Sequence, residues 1–391
     1  MRADGALLKS SALGPWVNFI LAPEIGLPSP AKSVYSLEKT KQTMSHAPIP
    51  GSKRAVASIL ALAVVAIVSA VLAKPDHGRP FLTQSSQAQI IDYHQHLFSP
   101  KASERASLGT KGVDADTLVS ELDAAGIQRA VVLSVAYGFS NPNKPAVPDE
   151  YAQVRAENDW TSSQVGKFPQ RLIGICSVNP IKAYALNEIA RCATDRNLRT
   201  GLKLHFGNSD VNVDNPEHLN QLRQVFRAAN QHGMAIIVHM HANIDHHRPY
   251  GTKQARIFLE SLLPEAPDVT VQIAHLAGGG GYDDPTADEA LSVFVEAAER
   301  KDPRMKNVYF DASGITLPGR WEDQAALIVK RIRQIGVQRI LYGSDGAVAG
   351  NLPKEALDKW HKLPLNPEEF HAIETNVAPY LRPWLASVYK S

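Results

Sequence analysis

From residue 90 onward the chain alternates between two hydrophobic rhythms. Short apolar runs occur at "IIDYHQH" (90–96), "RAVVLSVA" (129–136), "LIGICSVN" (172–179), "TGLKLHF" (200–206), "AIIVHMH" (235–241), "VTVQIAHL" (269–276), "NVYFDAS" (307–313) and "RILYGSD" (339–345). Between them, apolar residues recur every three to four positions, as in "DADTLVSELDAAGI", "NPEHLNQLRQVFRAANQHG", "TADEALSVFVEAAERK" and "QAALIVKRIRQIG". The first rhythm predicts buried strands and the second amphipathic helices. Gly126, Gly233 and Gly336 each stand just before the next strand, where a helix C-cap is expected. Strict β–α alternation with doubly buried strands predicts a parallel sheet with right-handed crossovers. The number and span of the strand candidates match a (β/α)8 TIM barrel, an α/β fold. No G-x-G-x-x-G follows the first run, which argues against an open doubly wound sheet. The tail from Asn351 reads as extra C-terminal helices packed on the barrel.

The N-terminal part has a different pattern. Residues 55–73 hold no charge, glycine or proline, with Lys53 and Arg54 in front and Lys74 and Pro75 behind. The basic flank and the small-residue sites "VLA" and "SQA" favour an export signal over a retained membrane anchor or a buried helix. Met44 begins a conventional leader, "MSHAPIPGSKR", so 1–54 reads as an N-terminal extension with a start at Met44. Residues 74–89 are a polar linker and 90–391 the folded domain; the mature chain is expected to begin between Lys74 and Ile90. An exported, periplasmic or membrane-anchored location follows, any membrane association running through 55–73.

Composition adds little to this picture. The chain has 391 residues, 44% hydrophobic and 20% charged, with a formal net charge of +2. That balance is globular, gives no sign of a nucleic-acid partner and leaves a small-molecule substrate as the expected partner. A homo-oligomer is compatible with it. The two cysteines, Cys176 and Cys192, read as packed free thiols rather than a bridge, and neither has metal-type spacing.

Chemistry concentrates at one end of the predicted strands. Residues Asp92, His94 and His96 alternate onto one face, with Tyr93 and Gln95 opposite. Strand four ends in Lys203 and His205, strand five in His239 and His241, strand six in His275 before "LAGGGG", and strand eight in Asp345. In a barrel these ends form the catalytic face, and imidazole and carboxylate groups gathered there suit a zinc ion with an open position for water. The loop histidines His246 and His247 read as a solvated rim. Asn158 and Asn179 read as turn chemistry, and Asp311 as an orienter of other side chains or a strand cap.

The set "IDYHQH", "GLKLH", "IIVH", "IAHLAGG" and "LYGSDG", in barrel order, resembles the amidohydrolase superfamily. The likeness is to its amidohydrolase-2 branch, which includes aminocarboxymuconate-semialdehyde decarboxylase-like enzymes, and it covers about residues 90–385. It implies one divalent metal held by His94, His96, His239 and Asp345, with Asp345 doubling as proton acceptor and His275 beside the metal as a polarising or proton-shuttling group. Either His239 or His241 fits the strand-five ligand, and the apolar run before His239 favours it. Lys203, His205 and His241 are then expected to bind substrate. Manganese, or a dinuclear centre bridged by a carboxylated Lys203, is the other arrangement the resemblance allows. The activity implied is metal-dependent hydrolysis of a small amide, ester or lactone, the alternative being nonoxidative decarboxylation on the same metal shell.

Overall fold

The computed structural model describes residues 89–242, 248–282, 284–317, 321–346 and 351–388. The extension, the apolar run 55–73 and most of the linker lie outside the described residues, as do His246 and His247. Among the described residues no helix is long and apolar enough to cross a membrane.

All eight expected strands form, each shorter than its apolar run: β1 (Ile91–Gln95), β2 (Arg129–Leu133), β3 (Leu172–Ser177), β4 (Gly201–His205), β5 (Ala235–His239), β6 (Val271–Ile273), β7 (Val308–Asp311) and β8 (Ile340–Leu341). They pair in parallel in chain order. Tyr93 N–H donates to Tyr342 O and Asp345 N–H to His94 O, both at 2.9 Å, which brings β8 back against β1 in a nearly closed barrel.

Helices cover the outside: α1 (Pro100–Arg105), α2 (Ala115–Ala125), α3 (Glu150–Val165), α4 (Ala185–Thr194), α5 (Pro216–Gln231), α6 (Thr252–Ile257), α7 (Pro285–Glu299) and α8 (Trp321–Ile335). Their boundaries have local causes. Asp114 caps α2 by accepting the Thr117 N–H, and Gly126 ends it at φ 72°. Asn215 and Asp284 cap α5 and α7, each followed by a proline whose missing N–H is harmless in the first turn. The tail forms α9 (Pro353–Trp360), α10 (Pro367–Glu374) and α11 (Arg382–Val388), as the sequence pattern predicts.

Strand alternation sorts the core into two layers. Ile91, Tyr93, Val131, Leu133, Ile173, Ile175, Ala235, Ile237 and Leu341 form one cluster, joined by Ala378, Leu381 and Leu385 of the tail. The alternate residues, such as Val132, Leu202, Leu204, Ile236 and Val238, pack with helix residues including Leu118, Leu122, Phe226 and Ile332. The Tyr93 hydroxyl donates to Asn376 O and accepts the Ala378 N–H, both at 2.9 Å. Tyr380 OH reaches Gln272 Oε1 at 2.8 Å. The C-terminal segment is thus pinned to inward-facing strand residues.

The cysteine expectation is corrected. Cys176 at the end of β3 and Cys192 in α4 form a disulfide, with Cα atoms 6.1 Å apart. The crossover folds α4 back over the strand that precedes it. A separation of 16 residues therefore hides a contact that linear spacing does not reveal.

Candidate active site

The strand ends bring His94, His96, Lys203, His205, His239, His275 and Asp345 together, and all but Asp345 are buried. The Asp345 side chain keeps 22% exposure, enough to meet solvent from within the mouth. In the β4–β5 register His205 lies opposite His239. Their rings accordingly stack at 3.9 Å and 14°. The His275 ring lies 4.7 Å from that of His94 and 4.9 Å from that of His239.

Three of the imidazoles use Nδ1 to anchor themselves. His94 Nδ1 meets Asp311 Oδ2 at 3.1 Å, His96 Nδ1 meets Leu133 O at 2.8 Å, and His275 Nδ1 meets Ser313 O at 2.8 Å. Each partner is an acceptor, so each ring carries its proton on Nδ1 and keeps a lone pair on Nε2. The Nε2 atoms of His94 and His96 stand 3.7 and 3.5 Å from Asp345 Oδ1. His94, His96 and Asp345 present ligand atoms all within 4.8 Å of one another. His239 Nε2 is buried without a hydrogen-bond partner. An unpartnered buried nitrogen is costly, and neutral imidazoles gathered about a carboxylate are a donor set that suits zinc. The residues present therefore fit the metal that the sequence resemblance implies.

Electrostatics agree with that fit. Burial, with Lys203 beside it, lowers His94 to about 3, while Asp311 and Asp345 pull the other way. Burial likewise holds His205 and His239 well below the usual imidazole value, aided by Lys203 and the neighbouring histidines. These rings are neutral at physiological pH, the form that ligates. Lys203 is lowered by burial to about 8, and its Nζ stands 3.1 Å from His94 Nε2.

The supporting residues were less visible in sequence. Asp311 is the orienter expected: besides His94 it accepts from Gln272 Nε2, the His275 N–H and Ser313 Oγ. Asn208 contacts both ring nitrogens of His205, and the Tyr137 ring packs 5.0 Å from that ring. Nothing in a short polar loop such as "FGNSD" announces that role. Asn158 clamps Ser177 N–H and O and reaches Glu188, and Asn179 makes an Asx turn with Ile181, so both are structural. Gly343 lets β8 approach β1: a Cβ there would lie 2.9 Å from Ser313 Cβ and 3.0 Å from His94 Cβ.

One expectation changes. Asp92 does not join His94 and His96. Its carboxylate accepts from Ser344 N–H, Ser344 Oγ, Gln95 Nε2 and His94 N–H, tying β1 to β8. The pairing register shifts between Asp92 and Gln95, which breaks the simple alternation that placed all three on one face. His241 stands at the edge, its ring 6.5 Å from His239 and its Nε2 held by Asp284 Oδ2 at 2.9 Å.

Residues 91–376 match the model of the Amidohydro_2 family, described as Amidohydrolase. No curated protein matches the chain in sequence. Solved structures share the fold at low identity. A 5-carboxyvanillate decarboxylase from Sphingomonas paucimobilis is 15% identical, with TM-score 0.51, covering 78% of this chain and 99% of its own. A probable 2-pyrone-4,6-dicarboxylic acid hydrolase from Acinetobacter baumannii, with citric acid bound, is 16% identical, with TM-score 0.50 and coverages of 78% and 100%. An amidohydrolase from Burkholderia multivorans with bound zinc is 13% identical, with TM-score 0.53 and coverages of 75% and 99%.

Proposed function

The chain belongs to the Amidohydro_2 amidohydrolase family and is an enzyme of it, and from that premise we propose that it is a zinc-dependent hydrolase of a small amide, ester or lactone. The observation that carries the reading is Asp345, a partly exposed carboxylate 3.5 and 3.7 Å from the lone-pair nitrogens of His96 and His94. His94, His96, His239 and Asp345 would hold the metal, which supplies Lewis acidity and acidifies water when bound. Asp345 accepts the proton of the attacking water. His275, its Nε2 left free by the Ser313 anchor, polarises the scissile group or returns the proton to the leaving group. Lys203 and His205 hold the polar end of the substrate. Asp311 fixes His94 and His275 together, so that ligand and proton-handling group keep one geometry.

Metal analysis and a substrate screen in ¹⁸O-labelled water test this. The expected result is one divalent transition metal per chain and label in the new carboxylate. Carbon dioxide release with no label in the organic product would replace hydrolysis by nonoxidative decarboxylation. A buried Lys203 amine suited to a carboxylate substrate favours that second reading. In His275→Asn, metal content should persist while turnover falls about 10²–10⁴-fold. Joint loss of metal and activity would make His275 a ligand and favour two metals bridged by a carboxylated Lys203.

We also propose that the mature protein lies outside the reducing cytoplasm, as an export signal or anchor at residues 55–73 would require. The Cys176–Cys192 disulfide supports it, because such bonds persist mainly in oxidising compartments. N-terminal sequencing of protein from its native cell envelope should find a start between Lys74 and Ile90. A cytoplasmic product retaining residues 1–43 would contradict it.

A further inference from the structure

The turn that carries His275 is left-handed at three successive residues, none of them glycine: φ is 56° at His275, 49° at Leu276 and 66° at Ala277. Cβ sterics disfavour this conformation in every L-residue, and successive residues rarely adopt it. The turn closes on itself, Gly278 N–H donating to His275 O at 2.8 Å. It also sets the catalytic geometry. His275 N–H meets Asp311 Oδ1 at 3.0 Å while the ring Nδ1 reaches Ser313 O. A strained segment persists only where its surroundings over-determine it.

One residue spans the gap to hold it. Tyr250, buried in the segment between β5 and α6, donates its hydroxyl hydrogen bond to the Ala277 carbonyl. Its ring lies 4.3 Å from that of His241, which Asp284 fixes from the N-cap of α7. Burial pushes the phenol well above its usual value, with Asp284 adding to the effect, so the hydroxyl remains a donor. Beyond the turn, Gly281 N–H donates to Gly314 O at 2.7 Å, and a Cβ at Gly279 would stand 3.3 Å from His241 Nδ1. The glycine run therefore packs closely against fixed neighbours, and Tyr250 bonds the last of the three left-handed residues.

We propose that Tyr250 is a positioning residue for His275: its hydrogen bond to Ala277 O holds the left-handed turn in the form that aims the imidazole into the site. The inference rests on the reading of His275 as the proton-handling group. Without the bond, the turn relaxes out of the left-handed region, and His275 leaves its Asp311 and Ser313 anchors for part of the time.

A pair of substitutions tests it on the metal-loaded protein. Tyr250→Phe removes only the hydroxyl. On the ester or lactone found by the screen, it should lower kcat about tenfold with KM within about twofold, the loss expected when a proton-handling group is only partly positioned. Metal content should not change. Ala277→Gly alone should change kcat little, because the turn is already held. Combined with Tyr250→Phe it should restore most of the lost kcat, because glycine occupies the left-handed region without the Cβ penalty. A purely structural loss would not be rescued in this way. Wild-type kcat in Tyr250→Phe, or a loss that Ala277→Gly fails to repair, overturns the proposal. A substrate-free readout separates its failure from that of the hydrolase reading: the rate of His275 modification by diethyl pyrocarbonate, mapped by peptide mass spectrometry. His275 should be protected in the parent, modified several-fold faster in Tyr250→Phe and protected again in the double variant. That pattern upholds the positioning role even if the reaction is not hydrolysis, and rates unchanged by Tyr250→Phe overturn it.

Discussion

The two ends of the barrel interior are built from the same alternating strands and do opposite things. On β4 and β5, inward positions change from Gly201 and Ala235 at the strand starts to His205 and His239 at the ends. At the far end Ile91, Ile173 and Ala235 meet Leu381 and Leu385 of the tail, and Tyr93 ties the tail down with both donor and acceptor. At the mouth, buried polar groups gather whose hydrogen bonds serve geometry more than cohesion, and one of them, His239 Nε2, has no partner. Apolar burial stabilises, whereas buried polar groups are costly unless matched. The contrast teaches that stability and chemistry are separable along a single strand, so substitutions at the two ends should have different signatures.

The strongest test of that division is Asp345→Asn. The amide keeps the shape but loses the charge and nearly all the basicity, so turnover should fall about 10²–10⁴-fold. Metal affinity should weaken while the circular dichroism spectrum is preserved. Near wild-type turnover would place the chemistry elsewhere. At the opposite end, Tyr93→Ala should leave the turnover of the folded fraction within about twofold but cost about 3–5 kcal/mol, as for other buried aromatics cut to alanine. Chemical denaturation measures it, and a loss of activity without a loss of stability would blur the two ends into one.

The smallest expected effect lies beside the mouth. Glu157 of α3 is buried against Ser99, accepting its N–H at 3.1 Å and its hydroxyl at 2.5 Å. Burial raises its carboxyl to about 7, against the lowering effect of those two hydrogen bonds. The unfolded chain releases this proton near 4.5, so Glu157's favourable contribution is fully present below that pH and is lost as pH rises through about 7. Glu157→Gln should flatten that decline and raise stability by about 1–3 kcal/mol above pH 8. Melting temperatures across pH 4 to 9 decide it, and a parallel offset of the two curves would show that Glu157 does not titrate there.

Much of the fold was legible because it depends on local rules. Every strand has its apolar run, and Asp114 and Gly126 bracket α2 as capping chemistry requires. The cluster of polar strand ends was legible for the same reason, because an inward residue at a strand end stays near its neighbours whatever the loops do. What escaped depends on contacts across the sequence. The register shift in β1 gave Asp92 to Ser344, an α7 cap engaged His241, and a crossover laid Cys192 on Cys176. None of these leaves a periodic trace, because each partner is set by tertiary packing.

The seam between β1 and β8 has a consequence for biosynthesis. Asp345 donates its backbone N–H to the carbonyl of His94, and Ser344 bonds Asp92 from 252 residues away. The first histidines of the site leave the ribosome long before the last carboxylate does, and pairing at such separation is slow because loop closure precedes any gain from contacts. Until the final strand docks, the nascent chain holds an imidazole pair without its anionic counterpart. On the proposed zinc-dependent reading, ion capture at full affinity therefore waits until synthesis has reached the end of the barrel. A fragment truncated before β8, even one with well-formed early helices, should fail that inspection and remain a target for proteolysis.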